Sequence, residues 1–482
     1  MLTYSFSDRN KESLYNYLYK CIKDDIISGV LSPHEKLPSK RAFASNHGIS
    51  IITVENAYEQ LMAEGYIYSK PKSGFYVSPI DTQISSTHSS ASNLKSNSQL
   101  DSVKINTSDN EKFNLITNHT SIDSFPFSTW AKITRRIISG QDTNLLTPPP
   151  SGGVMELREA ISKHLYDFRA ISCNPEQIII GAGTEYLYSL IVQLFGQDHI
   201  YGVENPGSRK IRNIYESLGA TVVPLSMDDE GILLSEDNLS APDIIHISPS
   251  HNFPTGVVTS IGRRYGLLHW ANKSENRFII EDDYDSEFRL QGKPISSLFS
   301  IDSTDRVIYF NTFTKSLAPT IRISYMVLPK SLLNIFYQKL GFYSCTVSNF
   351  EQYTLASFIR ENHFEKHINR MRNFYRNLRD ELLNSLYDSE LKKHITISGE
   401  NAGLHFLMHI HSNCDDAFLK EKASENNLIV AFLSDYFYHD GSMPDVYEHT
   451  AIINYSALSI DNVAQIVDAL ENAWLPYVTG DI

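Results

Sequence analysis

The chain has 482 residues, 41% of them hydrophobic, enough to bury a large core and to divide into more than one domain. Its formal charge of −14 is unevenly spread: residues 1–80 hold 9 Lys and Arg against 8 Asp and Glu, while the remainder holds 33 against 48. An acidic body repels nucleic acid, so any such contact is expected from the head alone. No apolar run approaches the roughly 18 residues of a membrane span, and Met1-Leu2-Thr3-Tyr4-Ser5-Phe6-Ser7-Asp8 lacks a signal peptide's basic-then-apolar layout. Four scattered cysteines, Cys21, Cys173, Cys345 and Cys414, offer neither a zinc cluster nor a redox pair. A cytoplasmic protein with reduced cysteines and no bound metal is expected.

In chain order, Leu14 to Ile27 reads as one amphipathic helix, Ser39 to Asn46 as a second, and Ser50 to Met62 as a third after the turn Asn46-His47-Gly48-Ile49. Tyr66 to Val77 alternates, breaks at Pro71 to Gly74 and alternates again, as a hairpin wing does. Three helices and a wing form a DNA-reading design. Ser39 is placed to cap the second helix and turn Lys40 and Arg41 toward phosphate. Ser50 caps the third, the recognition helix, where Thr53 lies within reach of base edges. Lys70 and Lys72 flank a tip at which Gly74 permits close approach to a groove. For any single Lys or Arg here the alternative is a solvated surface charge; together they favour DNA. Lys36-Leu37-Pro38-Ser39-Lys40-Arg41, Ile49-Ser50, Thr53-Val54, Ala57-Tyr58, Leu61 and Gly65 resemble the pattern of the GntR family of bacterial regulators. That family often has an arginine directly after the serine of the recognition helix, where this chain has Ile51-Ile52.

Residues 81–112 are rich in Ser, Thr, Asn and Asp, without periodicity, and read as a flexible linker. The expected domains are therefore a winged helix over 1–80, the linker, and a body over 113–482. In the body, Gln177 to Ile180, Asp243 to Ile247, Arg277 to Ile280 and Arg306 to Phe310 are short apolar runs. They alternate with helical stretches at Gly183 to Leu194, Arg209 to Leu218 and Arg263 to Asn272. This is the signature of an α/β domain with a mainly parallel, doubly covered sheet, whose function sits at the carboxyl ends of its strands. From about Phe350 a long helical pattern leads to strands at His394 to Ser398 and Gly403 to Ile410, a smaller α+β lobe.

Two clusters in the body carry chemistry. Lys315, in Asn311-Thr312-Phe313-Thr314-Lys315-Ser316, can form a Schiff base, and Asp282, in Ile280-Glu281-Asp282-Asp283-Tyr284, can keep a pyridine nitrogen protonated; this is the pairing that pyridoxal phosphate requires. Tyr284 can meet the cofactor's phenolic oxygen. Gly181-Ala182-Gly183-Thr184, between a strand and a helix, and Arg322 suit a phosphate, with hydroxyls from Thr312 and Thr314. The glycines alone are weak, because small residues are common in such turns. Glu281 and Asp283 read singly as surface or supporting acids. Asn252 reads either as a ring contact or as part of a purely structural turn.

Several further stretches resemble the fold-type-I aminotransferases: Phe125-Pro126 with Trp130, Gly153, Leu157-Arg158, Glu204-Asn205-Pro206-Gly207, His251-Asn252-Phe253-Pro254-Thr255-Gly256, Glu281 to Arg289 and Lys315 to Tyr325. Joined to the head, they resemble the MocR/GabR subfamily of GntR regulators. The resemblance implies pyridoxal phosphate covalent to Lys315, Asp282 at the ring nitrogen, Tyr284 at the ring oxygen, Arg322 on the phosphate, and a head-to-tail homodimer with exchanged domains. It also implies promoter DNA as partner and a bacterial, nucleoid-associated location. Two residues depart from the pattern: Ser208 stands where an aromatic commonly stacks on the ring, and Ile452 where an arginine grips an amino acid's carboxylate. Efficient transamination is therefore not expected. A regulator sensing pyridoxal phosphate itself, as in PdxR-type control of vitamin B6 synthesis, is the leading expectation. A regulator sensing an amino acid through the cofactor, and a true aminotransferase, are the alternatives.

Overall fold

The computed structural model describes residues 4, 12–71, 73–79, 112–117, 125–290, 296–401, 403–438, 444 and 447–479. Lys72 and nearly all of the expected linker lie outside these residues. The chain divides into two compact units, residues 1–107 and 108–482.

The first unit packs three helices, α1 (Leu14–Ile27), α2 (Lys40–His47) and α3 (Ile51–Ala63), against the antiparallel hairpin β1 (Ile67–Lys70) and β2 (Gly74–Val77). The hydroxyl oxygens of Ser39 and Ser50 accept from Ala42 N and Thr53 N at 3.2 and 3.1 Å, each satisfying one of the orphan amides at a helix start. Gly48 ends α2 with φ +65°, a left-handed conformation that costs glycine nothing and turns the chain sharply into α3. The core is Leu18, Ile22, Phe43, Val54, Ala57, Tyr58 and Leu61, all fully buried.

The second unit is built on an eight-stranded sheet. After the short β3 (Phe113–Asn114) come β4 (Ile178–Gly181), β5 (Ile200–Asn205), β6 (Thr221–Asp228), β7 (Gly231–Ile232), β8 (Ile244–Ile247), β9 (Phe278–Asp282), β10 (Val307–Thr312) and β11 (Ser324–Val327). The sheet order is β4-β11-β10-β9-β8-β5-β6-β7. The β10-β9-β8-β5-β6 ladder is parallel, and β11 runs antiparallel to both β10 and β4. The central strands β8, β9 and β10, and the edge strand β4, are buried along their whole length, as a sheet covered on both faces requires. Six strands thus deliver their carboxyl ends to one edge. Helix His363–Asp388 leads into a smaller lobe whose four-stranded sheet has the order β12 (Ile395–Ser398), β13 (His405–Ile410), β16 (Thr450–Asn454), β15 (Ala431–Phe432). Strand β3 pairs in parallel with β14 (Leu428–Ile429), which ties the start of the unit to this lobe. Among the described residues no helix is long and apolar enough to cross a membrane, and the four cysteines are unpaired.

Replacing Leu61 by Ala removes a fully buried side chain from the core of the small head and is expected to cost about 2–5 kcal/mol. Calorimetry of the full-length variant should register a lowered transition for the head while that of the body stays in place.

Candidate functional site

In the body, strand register assembles the site. Thr312 at the end of β10 pairs with Ser324 of β11, which pairs in turn with Gly181 at the end of β4. One row across three strands therefore gathers the Gly181–Thr184 turn, the Thr312–Lys315 segment and Arg322. On the other side of β10, Phe310 pairs with Asp282, so Asp282 and Lys315 leave neighbouring parallel strands at the same edge. From the end of β8, alongside β9, runs the turn that carries His251 and Asn252.

Asp282 is 5% exposed. Its Oδ2 accepts a 2.6 Å hydrogen bond from the Tyr188 hydroxyl, and His246 Nε2 stands 3.5 Å from the same oxygen. Its Oδ1 is buried without a partner among the described residues. A carboxylate oxygen so placed costs several kcal/mol unless a cationic or N–H group meets it. The Lys315 ammonium lies 5.8 Å from the centre of the Tyr284 ring. Burial lowers the pKa of Lys315 from 10.5 to about 8, with Asp285 and Asp282 acting against the shift. The Tyr284 hydroxyl is pushed well above its ordinary range by burial and by Asp285 and Asp282, so it keeps its proton; it lies 3.3 Å from His251 Nδ1. The same imidazole nitrogen is held at 2.7 Å by Asp285. Gly403, at φ +71°, lets the backbone of the smaller lobe pass so close that any Cβ there would overlap the His251 ring.

The anion end is equally specific. Gly183, at φ +93°, precedes helix Thr184–Phe195, and a Cβ on it would overlap the Arg322 guanidinium. Arg322 pairs with Glu185, which also binds Lys210. The hydroxyls of Thr312 and Thr314 shape the loop: Thr312 Oγ1 accepts from Ser324 Oγ at 2.7 Å and from Thr314 N at 3.1 Å, and Thr314 Oγ1 donates to Ile321 O at 3.2 Å. Asn252 is buried, and its Oδ1 accepts from Thr255 Oγ1 at 2.7 Å, so its side chain braces the turn. Beside it Glu204 is buried, and that burial raises its pKa to about 8 against the Ser248 amide and Asn252.

Of the two readings left open for Glu281 and Asp283, surface or supporting acids, burial selects the second; they are 0% and 1% exposed. Alternation along β9 sends them away from Asp282, and each finds partners on that side. Glu281 accepts the amides of Leu298 and Phe299, both at 2.9 Å. Asp283 pairs with Arg169 at 2.6 Å and accepts from Tyr309 at 2.6 Å. Two further site residues, Tyr188 and His246, were missed. Tyr188 follows Thr184 by one helical turn, and His246 is the single polar residue in the run Ile244-Ile245-His246-Ile247, so each had a signal in the sequence. Ser208 precedes helix Arg209–Ser217. Ile452, 2% exposed, packs with Leu407, Ala431 and Leu433.

In the head, α2, α3 and the wing meet around Lys40, whose ammonium lies 2.7 Å from Glu55 and 5.4 Å from the Phe75 ring centre. Arg41 is exposed. The Thr53 and Ser50 hydroxyls share a 2.8 Å bond. Lys70 sits 4.8 Å over the Tyr76 ring, and Gly74 has φ +118°, a conformation side chains disfavour.

Residues 14–77 match the family model of bacterial regulatory proteins, gntR family, and residues 110–470 that of aminotransferase class I and II. The HTH-type transcriptional regulator YdeL of Bacillus subtilis is 36% identical, covering 96% of each chain. The probable rhizopine catabolism regulatory protein MocR of Rhizobium meliloti is 29% identical over 96% of this chain and 94% of its own. The pyridoxine biosynthesis regulator PdxR of Corynebacterium glutamicum is 28% identical over 82% and 83%. A kynurenine aminotransferase structure from Pyrococcus horikoshii shares the fold, with a TM-score of 0.67 at 23% identity over 75% of this chain and 90% of that one. The architecture is that of an HTH-type transcriptional regulator with an aminotransferase-like body. The chain belongs to the MocR subfamily of GntR-type regulators.

Replacing Arg169 by Leu strands the Asp283 carboxylate in the core. A loss of about 3–5 kcal/mol is expected in denaturant unfolding of the body.

Proposed function

We propose that this regulator binds pyridoxal phosphate in the crevice at the strand ends and reports its presence to promoter DNA bound by the head, as a sensor in the control of vitamin B6 synthesis. The observation that carries the reading is the unpartnered, buried Oδ1 of Asp282, one strand away from a lysine whose amine is neutral in half the molecules near pH 8. The residues fit the group. Asp282 would hold a proton at the ring nitrogen, Tyr284 would donate to the ring oxygen, and Arg322 with the Gly183 and Thr184 amides would take the phosphate. Thr312 and Thr314 would fix that loop, and Asn252 the facing turn. When bound, the cofactor supplies an aldehyde that links covalently to the Lys315 amine. The PdxR relative, named for pyridoxine biosynthesis, supports this choice of signal. So does Ile452, which offers no cation to an amino acid's carboxylate; that weakens the amino-acid-sensing alternative and catalysis alike. The domain limits 1–80, 81–112 and 113–482 remain our division of labour, with Ser39, Lys40, Arg41, Ser50, Thr53, Lys70, Lys72 and Gly74 on the DNA side. A head-to-tail homodimer is part of the proposal: Phe127, Leu146 and Phe342 are 61%, 83% and 75% exposed, apolar area that a second copy would cover.

A protonated lysine cannot attack an aldehyde, so uptake should be slow below the pKa and fast above it. Cofactor uptake, followed by absorbance and by borohydride trapping at Lys315, is expected to rise with pH around a midpoint near 8 instead of 10.5. Lys315→Ala should give no trapped adduct, and wild-type protein that stays colourless with excess cofactor would refute the binding reading. The sensor reading is tested on promoter DNA: apo and holo protein should differ in affinity or footprint. Identical footprints would leave a cofactor-binding protein that does not use the cofactor as its signal.

A further inference from the structure

Helix α3 begins with two β-branched apolar residues that bury little of themselves: Ile51 is 47% exposed and Ile52 67%. The buried stripe of the helix consists of Val54, Ala57, Tyr58 and Leu61, so packing does not account for these two side chains. Helix formation does not account for them either. β-branched residues are mediocre helix formers, and the first turn, where Asp or Glu would complement the macrodipole, holds no acid. The start of α3 is thus an apolar tip on a helix end with no acid in its first turn, in a head whose Arg41 and Lys70 are also exposed. One turn further along the same face as Ile52 comes Asn56, also exposed. The charged residues of the helix are both acidic: Glu55 is held by Lys40 at 2.7 Å, and Glu59 is exposed.

Major-groove edges offer one apolar feature, the thymine C5-methyl group, and asparagine is the bidentate partner of adenine. We propose that Ile51 and Ile52 read thymine methyl groups in the major groove, with Asn56 on a neighbouring adenine, so that the operator half-site is defined by A·T pairs at the positions under the first turn of α3. This rests on the head binding duplex DNA, and the helix end with no acid in its first turn, together with the exposed Arg41 and Lys70 of the same head, supplies charge complementary to phosphates.

The test uses the full-length protein. Duplexes are selected from a random library, and each thymine of the recovered half-site is then replaced singly by deoxyuridine, which deletes the methyl group and nothing else. At one thymine or more, wild-type protein should lose about fourfold in affinity, the cost of exposing one buried methyl. Ile51→Ala or Ile52→Ala should bind thymine and deoxyuridine duplexes equally at the matching position. Indifference of the wild type to deoxyuridine at every position, or a penalty that persists unchanged in both Ala variants, would overturn the proposal while leaving DNA binding intact. Recovery of no duplex at all would overturn the DNA reading of the head, and this proposal with it.

Discussion

The Asp282 carboxylate, buried at the end of β9 with one oxygen bound by Tyr188 and the other unmet, is the constraint around which the body is arranged. A charge or proton held there is affordable only if something completes its hydrogen bonding. The parallel register of β9 and β10 fixes the Phe313–Ser316 turn one strand away, so the Lys315 amine is desolvated beside the same acid. The antiparallel β11 carries Arg322 into the row that starts at Gly181. Moving β9 by one residue would turn Asp282 to the opposite face of the sheet, and moving β10 or β11 would shift Lys315 or Arg322 away from it.

That register is itself held from beneath. Glu281 and Asp283, the two acids flanking Asp282, point to the other face, where one caps the backbone at 298–299 and the other lies against Arg169 and Tyr309. Three consecutive acids at a strand end would repel one another on a single face. Alternation divides them, and the pairing below keeps β9 from sliding. His251 plays a comparable part toward the smaller lobe. Its imidazole is clamped by Asp285 and lies 4.8 Å from the His405 ring, which burial keeps neutral with a pKa near 3. Gly403 must therefore remain without a side chain.

Most of the fold was legible because its strands are short, apolar and closed by turn residues, and because Ser39, Ser50 and Gly48 mark helix ends by local chemistry. Asp282, Lys315, Arg322 and Gly183 were legible for the same reason: each lies at a strand end whose direction the alternating pattern fixes. What the sequence hid depends on which face a side chain takes and on contacts across strands. The burial of Glu281 and Asp283 follows from a pleat that composition does not reveal, and the Tyr188–Asp282 bond spans 94 positions. Thr53, read as reaching toward bases, shares its hydroxyl with the Ser50 cap, a competition that only side-chain geometry exposes.

Ser208 and Ile452 are the two residues read as departures from the aminotransferase pattern, and the more telling is Ile452. It pairs across the sheet with Leu407 and Ala431 and is covered by Leu433. A guanidinium placed there would enter an apolar cluster and cost several kcal/mol unless a carboxylate met it. The apolar side chain at position 452 is thus a property of the packing of the smaller lobe, not of one position. A single Ile452→Arg exchange would disrupt that packing before it could grip a substrate. The groups in the crevice suited to an anion are instead Gly183, Thr184 and Arg322, whose guanidinium already pairs with Glu185. An anion bound at that end has to displace a carboxylate, so its hold depends on how much more charge and how many more acceptor oxygens it brings than Glu185 does, a comparison that favours a phosphate over a single carboxylate.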